Sequence, residues 1–202
     1  MAMNQESMVD MSISLLQIST KEDIFIDMTL DQIEAYSTET YLHCVRVGDL
    51  AARIAREIGL TTNRVELLRV CGLMHDIGKL TIPIEILSKS SQLTPLEYKI
   101  IKKHTLEGYW MAKDNLPDTV AKAILLHHER LDGSGYPFGL MGDQIPLEAR
   151  IVMLADCYDA MTFNRSYKKA ISSVQALDEL STMLKCYDPD IFDVLKDIVK
   201  CA

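Results

Sequence analysis

Apolar residues recur at intervals of three and four along almost the whole of this 202-residue chain, and that spacing commits it to helices. Leu42, Val45, Leu50, Ile54 and Ile58 mark one such face, and Gly59 is placed to stop its helix. Thr62 is expected to cap the next, which runs through Val65, Leu68 and Cys71 to His75. Thr94, Pro95 and Glu97 spell a capping box with proline at the first helical position, opening a helix expected to end at His104. Pro117 and Asp118 start one that reaches His127 and His128, and Pro146 precedes another running to Met161. Ser172 or Ser173, and then Asp188-Pro189, begin two short C-terminal helices. No segment alternates as a half-buried strand does, so the expected fold class is all-α.

Residues Leu131 to Pro146 interrupt the pattern with Gly133, Gly135, Gly139, Gly142, Pro137 and Pro146. Irregular stretches above about 12 residues inside a compact domain are ordinarily functional. The first 28 residues differ again, because they carry five of the eleven methionines. Met8 to Ile18 has the spacing of a short amphipathic helix, which either packs on the domain or serves a partner as an adaptable Met-rich arm. The chain is therefore expected to divide into an N-terminal segment, 1–28, and a domain, 29–202.

Lys and Arg number 21 against 29 Asp and Glu, a net charge of −8. Binding to a nucleic-acid polymer is not expected, since affinity for phosphate backbones comes from basic residues. No apolar run approaches the roughly 18 residues of a membrane span, and no secretory signal is visible. The five cysteines (Cys44, Cys71, Cys157, Cys186 and Cys201) are odd in number and none has CxxC spacing. A reducing, cytoplasmic location without structural disulfides or a thiolate zinc site is expected.

The chemistry concentrates in histidines and carboxylates. Glu39 and His43 stand four apart, on one side of one helix. His75 and Asp76 adjoin at the end of another, His104 ends a third, and His127-His128 form a doublet. Asp156 interrupts the apolar run Ile151 to Ala155, where an unpaired carboxylate is costly and calls for a cation or donors. A lone histidine on an apolar helix face is ordinarily a core residue, and a first-turn glutamate such as Glu39 is favoured by the helix dipole alone. The joint pattern carries the inference. Five imidazoles and three carboxylates suit iron, manganese, zinc or nickel better than magnesium or calcium. Eight ligands exceed the needs of one ion, and paired ions about 3.5–4 Å apart favour phosphoester hydrolysis.

The sequence resembles the HD-GYP family of the HD phosphohydrolase superfamily. The matching stretches are His43 to Val47 (HCVRV), Leu73 to Pro83 (LMHDIGKLTIP), Lys102 to Gly108 (KKHTLEG), His127 to Leu140 (HHERLDGSGYPFGL), Ile145 to Met161 (IPLEARIVMLADCYDAM) and Asn164 to Lys168 (NRSYK). They occur in the family's order over about residues 29 to 195. The resemblance implies an all-helical, HD-type bundle with a long Gly-rich GYP loop, acting in the cytosol as a phosphodiesterase on the bacterial messenger cyclic di-GMP. It implies metal ligation by His43, His75, Asp76, His104, His127, His128 and Asp156, with Glu39 in the place of the glutamate used by trinuclear members. Asp76 would link two ions, and Lys79 would stabilise phosphoryl charge or protonate the leaving group, unless it only pairs with Asp76. Arg165 and Lys168 fall where substrate phosphates are gripped, Gly135, Tyr136 and Pro137 form the GYP signature, and Tyr136 would stack on a guanine or face a partner.

Two departures stand out. Leu80 and Thr81 replace the family's frequent Ile and Gly, and the usual RPYR reads Arg165-Ser166-Tyr167-Lys168. Lysine keeps the charge of arginine but loses its bidentate fork, which touches substrate preference more than activity. The implied cofactors are two or three divalent ions, iron or manganese foremost, nickel or zinc otherwise. The implied products are pGpG, GMP or both. Three readings stay open beside cyclic di-GMP hydrolysis. One is a weakly active module that binds a cyclic dinucleotide or docks on a GGDEF-domain cyclase. Another is hydrolysis of a different nucleotide such as 3′3′-cyclic GMP-AMP, and the third is a generic HD nucleotidase. A homodimer is compatible with each.

Overall fold

The structure, a computed structural model, describes residues 20–164 and 169–201. Every regular element among them is helical. In chain order they are α1 (Lys21–Tyr36), α2 (Thr38–Glu57) and α3 (Thr62–Met74), a 3-10 turn (Ile77–Thr81), α4 (Ile84–Leu87), α5 (Pro95–Lys102), α6 (His104–Ala112) and α7 (Asp118–Leu126). A second 3-10 turn (Gly142–Gln144) precedes α8 (Leu147–Thr162), α9 (Ser173–Ser181) and α10 (Pro189–Lys200). The all-α expectation holds. No disulfide forms among the described residues; Cys44, Cys71 and Cys186 are free and buried, and the Cys186 thiol donates to Oδ2 of Asp132 at 3.4 Å. No described helix is long and apolar enough to cross a membrane.

Several boundaries move. Thr20 caps α1 through a capping box with Asp23, so the helix runs across the expected division at residue 28 without a break. The Met8–Ile18 segment lies outside the described residues. The N-cap of α3 is Thr61 rather than Thr62, and its side chain makes no capping hydrogen bond. His104 does not end a helix. The chain turns at Lys103, and His104 opens α6. Thr94 and Glu97 form the expected capping box on α5. Ser172 and Asp188 are the caps of the last two helices.

On α2 the inward stripe is His43, Cys44, Val47, Ala51, Ile54 and Ala55, all buried. Leu42, expected on the apolar face, is 48% exposed. The helical repeat of about 100° per residue gives the inward position to His43 instead, so a metal-type side chain sits where a leucine was expected. The main core joins α2, α3, α7, α8 and α10 through residues such as Ile54, Leu68, Met74, Ile124, Leu154 and Leu195. A smaller cluster of Leu126, Ile145 and Ala149 lies beneath the Gly-rich loop. The core thus clamps together α2, which carries His43 in its interior, with α3 and α7, whose C-terminal ends carry His75 and the His127-His128 doublet.

Candidate metal centre

Five imidazole rings form a continuous chain in the middle of the bundle. Ring centroids are 5.1 Å apart for His43 and His75, 5.0 Å for His75 and His127, 5.2 Å for His104 and His127, and 4.1 Å for His127 and His128. Asp76 sits among them. Its carboxylate lies 3.2 Å from Nε2 of His75, 3.4 Å from Nε2 of His104 and 3.7 Å from Nε2 of His43. Asp156 reaches the same cluster from α8, with Oδ1 3.0 Å from Nε2 of His43 and Oδ2 4.0 Å from Nδ1 of His128.

Local backbone geometry sets the direction of three rings. Nδ1 of His75 donates to the carbonyl of Gly72, that of His104 to Ile101, and that of His127 to Ile124, at 2.7 to 2.8 Å. Each carbonyl lies three residues back in the last turn of a helix, where carbonyls lack the regular i+4 partner. In His104 and His127, which burial keeps neutral, the lone pair then sits on Nε2, and Nε2 of His75 faces the same cluster beside Asp76. His43 lies inside α2, where the carbonyls behind it are engaged by the helix. It uses a side chain instead: Nδ1 donates to Oδ2 of Asp159 at 2.6 Å. Asp159 is in turn gripped by Arg46, through Nε at 2.6 Å and Nη2 at 3.0 Å. The guanidinium of Arg46 stacks 3.9 Å from the centroid of Phe163.

These residues fit divalent ions. Among the described residues, His43, His75 and Asp76 form one group able to hold a metal ion and His104, His127 and His128 another, each with ligand atoms within 4.8 Å of one another. Nε2 of His75 and Oδ1 of Asp76 are fully buried and lack a hydrogen-bond partner, which is costly unless a cation meets them. Nε2 of His104 and Nε2 of His127 face each other at 3.2 Å. Both rings already donate through Nδ1, so two lone pairs converge on one point. A donor set of imidazoles and carboxylates suits transition ions.

Burial holds His127 neutral, lowers His128 to about 3 and His104 to about 4. Burial also disfavours charge on His75, but the adjoining Asp76 outweighs it and raises the ring well above the ordinary histidine range. Asp76 is likewise opposed by burial and held well below the usual carboxylate range by His75 and Lys79. Nζ of Lys79 donates to Oδ2 of Asp76 at 2.5 Å, so the lysine and the carboxylate act as one unit.

The Gly-rich loop forms the rim. Tyr136 stacks on His128, with centroids 4.7 Å apart and planes 28° from parallel, so one face of the tyrosine is already occupied. Nζ of Lys102 stands 4.7 Å from the Tyr136 ring and 4.7 Å from the Tyr98 ring. Glu39 lies one turn before His43, exposed and outside both metal groups. Arg165 and Lys168 lie outside the described residues.

The structure therefore brings His43, His75, Asp76, His104, His127, His128 and Asp156 together. Adjacent helical residues diverge by about 100°, yet His127 and His128 both serve the cluster because α7 ends at Leu126 and the doublet occupies the turn beyond it. Sequence reasoning missed Asp159, Arg46, Lys102 and Glu129. Asp159 lies three residues after Asp156 and Arg46 three after His43, a same-face spacing that was the available signal.

A family model described as HD domain matches residues 22–191. The chain is 40% identical over 166 residues to a cyclic di-GMP phosphodiesterase of Thermotoga maritima, covering 80% of this chain and 45% of the relative. It is 37% identical over 166 residues to 3′3′-cGAMP-specific phosphodiesterase 1 of Vibrio cholerae, covering 81% of this chain and 38% of the relative. Among solved structures it superposes on Bd1817, a HDG"Y"P protein from Bdellovibrio bacteriovorus, with a TM-score of 0.66 at 22% identity, over 89% of this chain and 61% of that one. The alignments span less than half the length of these two curated relatives.

Proposed function

Because the chain belongs to the HD domain family, in its HD-GYP branch, we propose that it is a metal-dependent phosphodiesterase that hydrolyses cyclic di-GMP to pGpG, GMP or both. The observation that carries this reading is the inward convergence of the histidine Nε2 atoms on Asp76, under a rim of basic and aromatic side chains. Similarity to phosphodiesterases of cyclic dinucleotides supports the substrate class.

His43, His75, Asp76, His104, His127, His128 and Asp156 would hold two divalent ions, with iron or manganese as the proposed metals. Bound ions would supply Lewis-acid stabilisation of the phosphoryl oxygens and a reactive water at neutral pH. Asp76, touching both halves of the cluster, orients it. Lys79 brings a positive charge to the edge of the site, where it neutralises charge that builds on the phosphoryl oxygens. Its contact with Asp76 keeps the ammonium in place before substrate arrives. Lys102 presents a second cation against Tyr136 at the rim. Arg165 and Lys168 are assigned to the second phosphate of the cyclic substrate. Glu39 is assigned to a third ion, where a terminal phosphate such as that of pGpG would balance the added charge. Glu39→Ala should accordingly slow pGpG hydrolysis more than ring opening, read from time courses of both nucleotides. Docking to a GGDEF-domain cyclase and homodimer formation complete the proposal for partners.

The Vibrio cholerae relative favours one second reading, hydrolysis of 3′3′-cyclic GMP-AMP. Incubation with cyclic di-GMP, 3′3′-cyclic GMP-AMP, pGpG and dGTP, each with and without Mn²⁺ or Fe²⁺, separates the readings. Metal-dependent loss of cyclic di-GMP is expected. Turnover of dGTP alone would return the chain to a generic nucleotidase.

A further inference from the structure

The carboxylate of Glu129 is completely buried, next to the histidine doublet in sequence, yet it belongs to neither group able to hold a metal ion. Both its oxygens are used. Oε1 accepts the backbone N–H of Phe138 at 2.6 Å, and Oε2 accepts that of Leu140 at 2.9 Å. These donors belong to the two ends of the short stretch that follows Tyr136-Pro137. Burying a carboxylate is expensive, and charge-assisted hydrogen bonds to two backbone amides offset it only while the loop keeps this conformation.

Two further contacts hold the same loop against His128, Glu129 and Arg130. The N–H of Tyr136 donates to the carbonyl of His128 at 3.1 Å. Gly135 passes so close that a Cβ there would lie 2.4 Å from the nitrogen of Arg130 and 2.5 Å from both Cα of Glu129 and the carbonyl oxygen of His128. The loop thus folds back over His128, Glu129 and Arg130, and the result is the stacking of Tyr136 on His128.

We infer that Glu129 is a positioning residue: its buried carboxylate pins the Gly-rich loop to the end of the histidine doublet and so holds Tyr136 over His128 at the rim where a cyclic dinucleotide must enter. Glu129 touches no ligand atom described above. It acts through the loop backbone and Tyr136, so its loss loosens the rim without removing a metal ligand. The inference rests on the proposed substrate class for its kinetic consequence and on geometry alone for its structural one.

The first measurement is amide hydrogen exchange on the wild-type, metal-loaded chain. The N–H groups of Phe138 and Leu140 should be protected although they lie in a loop. Exchange at unprotected rates at both positions overturns the proposal, whatever the substrate proves to be. In Glu129→Gln one acceptor oxygen becomes an NH₂ that confronts a backbone N–H. Exchange at the two amides should rise on the order of tenfold or more, since bonds to a charged acceptor are the stronger class, while amides of α2 keep their wild-type protection. The metal content should stay at the wild-type level, and KM for cyclic di-GMP should rise by about tenfold with a smaller change in kcat.

A double-mutant cycle with Tyr136→Ala distinguishes positioning from general weakening. If Glu129 acts through Tyr136, Glu129→Gln adds little to KM once Tyr136 is gone. Fully additive effects overturn the proposal. Should Glu129→Gln not fold, the shorter Glu129→Asp enters the same cycle, and the wild-type exchange result judges the clamp without any variant. If the wild type turns over no cyclic dinucleotide, the functional reading fails while the exchange data still decide the role of Glu129.

Discussion

Asp159 and His43 meet at 2.6 Å although 116 residues separate them in the chain. The contact joins α8 to α2 across the core, and it orients a ligand histidine that lies inside its helix, with no helix-end carbonyl to direct it. A carboxylate on the far nitrogen of a ligand imidazole fixes the tautomer and raises its basicity. Asp159→Ala should therefore weaken metal binding by about 10- to 100-fold, measured by calorimetric titration of the metal-depleted protein with Mn²⁺. Arg46→Ala should move affinity in the same direction by less, because Asp159 stays. Wild-type affinity in Asp159→Ala would show that packing alone directs His43.

Asp76 contacts three of the histidines and Lys79. Removing a buried carboxylate on which several polar groups converge takes away the partner that they share. Asp76→Ala should lower metal content by elemental analysis and reduce turnover below detection. Activity near the wild-type level would contradict the assignment of Asp76 as the centre of the cluster.

Gly78 makes the 3-10 turn after Asp76 pass directly beneath α6. A Cβ at this position would fall 1.9 Å from the carbonyl oxygen of His104 and 2.6 Å from the nitrogen of Gly108. Both are backbone atoms and cannot swing aside. Gly78→Ala should push α6 outward, cost about 1–3 kcal/mol of stability and reduce metal content by displacing His104. Urea unfolding with and without Mn²⁺ checks both. An unchanged midpoint would mean the two backbones separate freely.

The capping box on α5 predicts a pH signature. Glu97 is lowered to about 2, first by its hydrogen bond from Lys89 and then by those from Thr94. A carboxyl depressed in the folded state adds stability that is complete above its unfolded pKa of about 4.5 and disappears as pH falls toward 2. The destabilisation caused by Glu97→Gln should be full at pH 7 and shrink steadily below pH 4.5. Denaturation midpoints of both proteins at a series of pH values test this. A gap that does not narrow would assign the effect to the shape of the side chain rather than its charge.

The local order of this protein is legible residue by residue. The spacing of Val45, Leu50, Ile54 and Ile58 marks a helix, Thr94-Pro95-Glu97 marks the start of another, and the glycines from 133 to 142 mark the long loop. These signals survive in sequence because they act within a few residues. The metal-type residues were equally legible as a set, since five histidines and the aspartates 76 and 156 occur in motifs of strong character. Leu42 and His104 show the limit of such reading. Which side of α2 faces inward, and whether a helix turns at Lys103, depend on packing that a linear pattern does not contain.

Sequence by itself determined that the chain is helical, that its histidines belong together and which family it resembles. Only the tertiary structure decided how the cluster is held. Asp159 supports His43 from the opposite side of the core, the helix-end carbonyls of Gly72, Ile101 and Ile124 aim three rings, and Glu129 ties down a loop nine and eleven residues ahead. The physical reason is range. Helix periodicity and capping are energies between near neighbours along the chain, whereas the direction of a buried ring or carboxylate is set by whichever donor or acceptor the fold brings within about 3 Å of it.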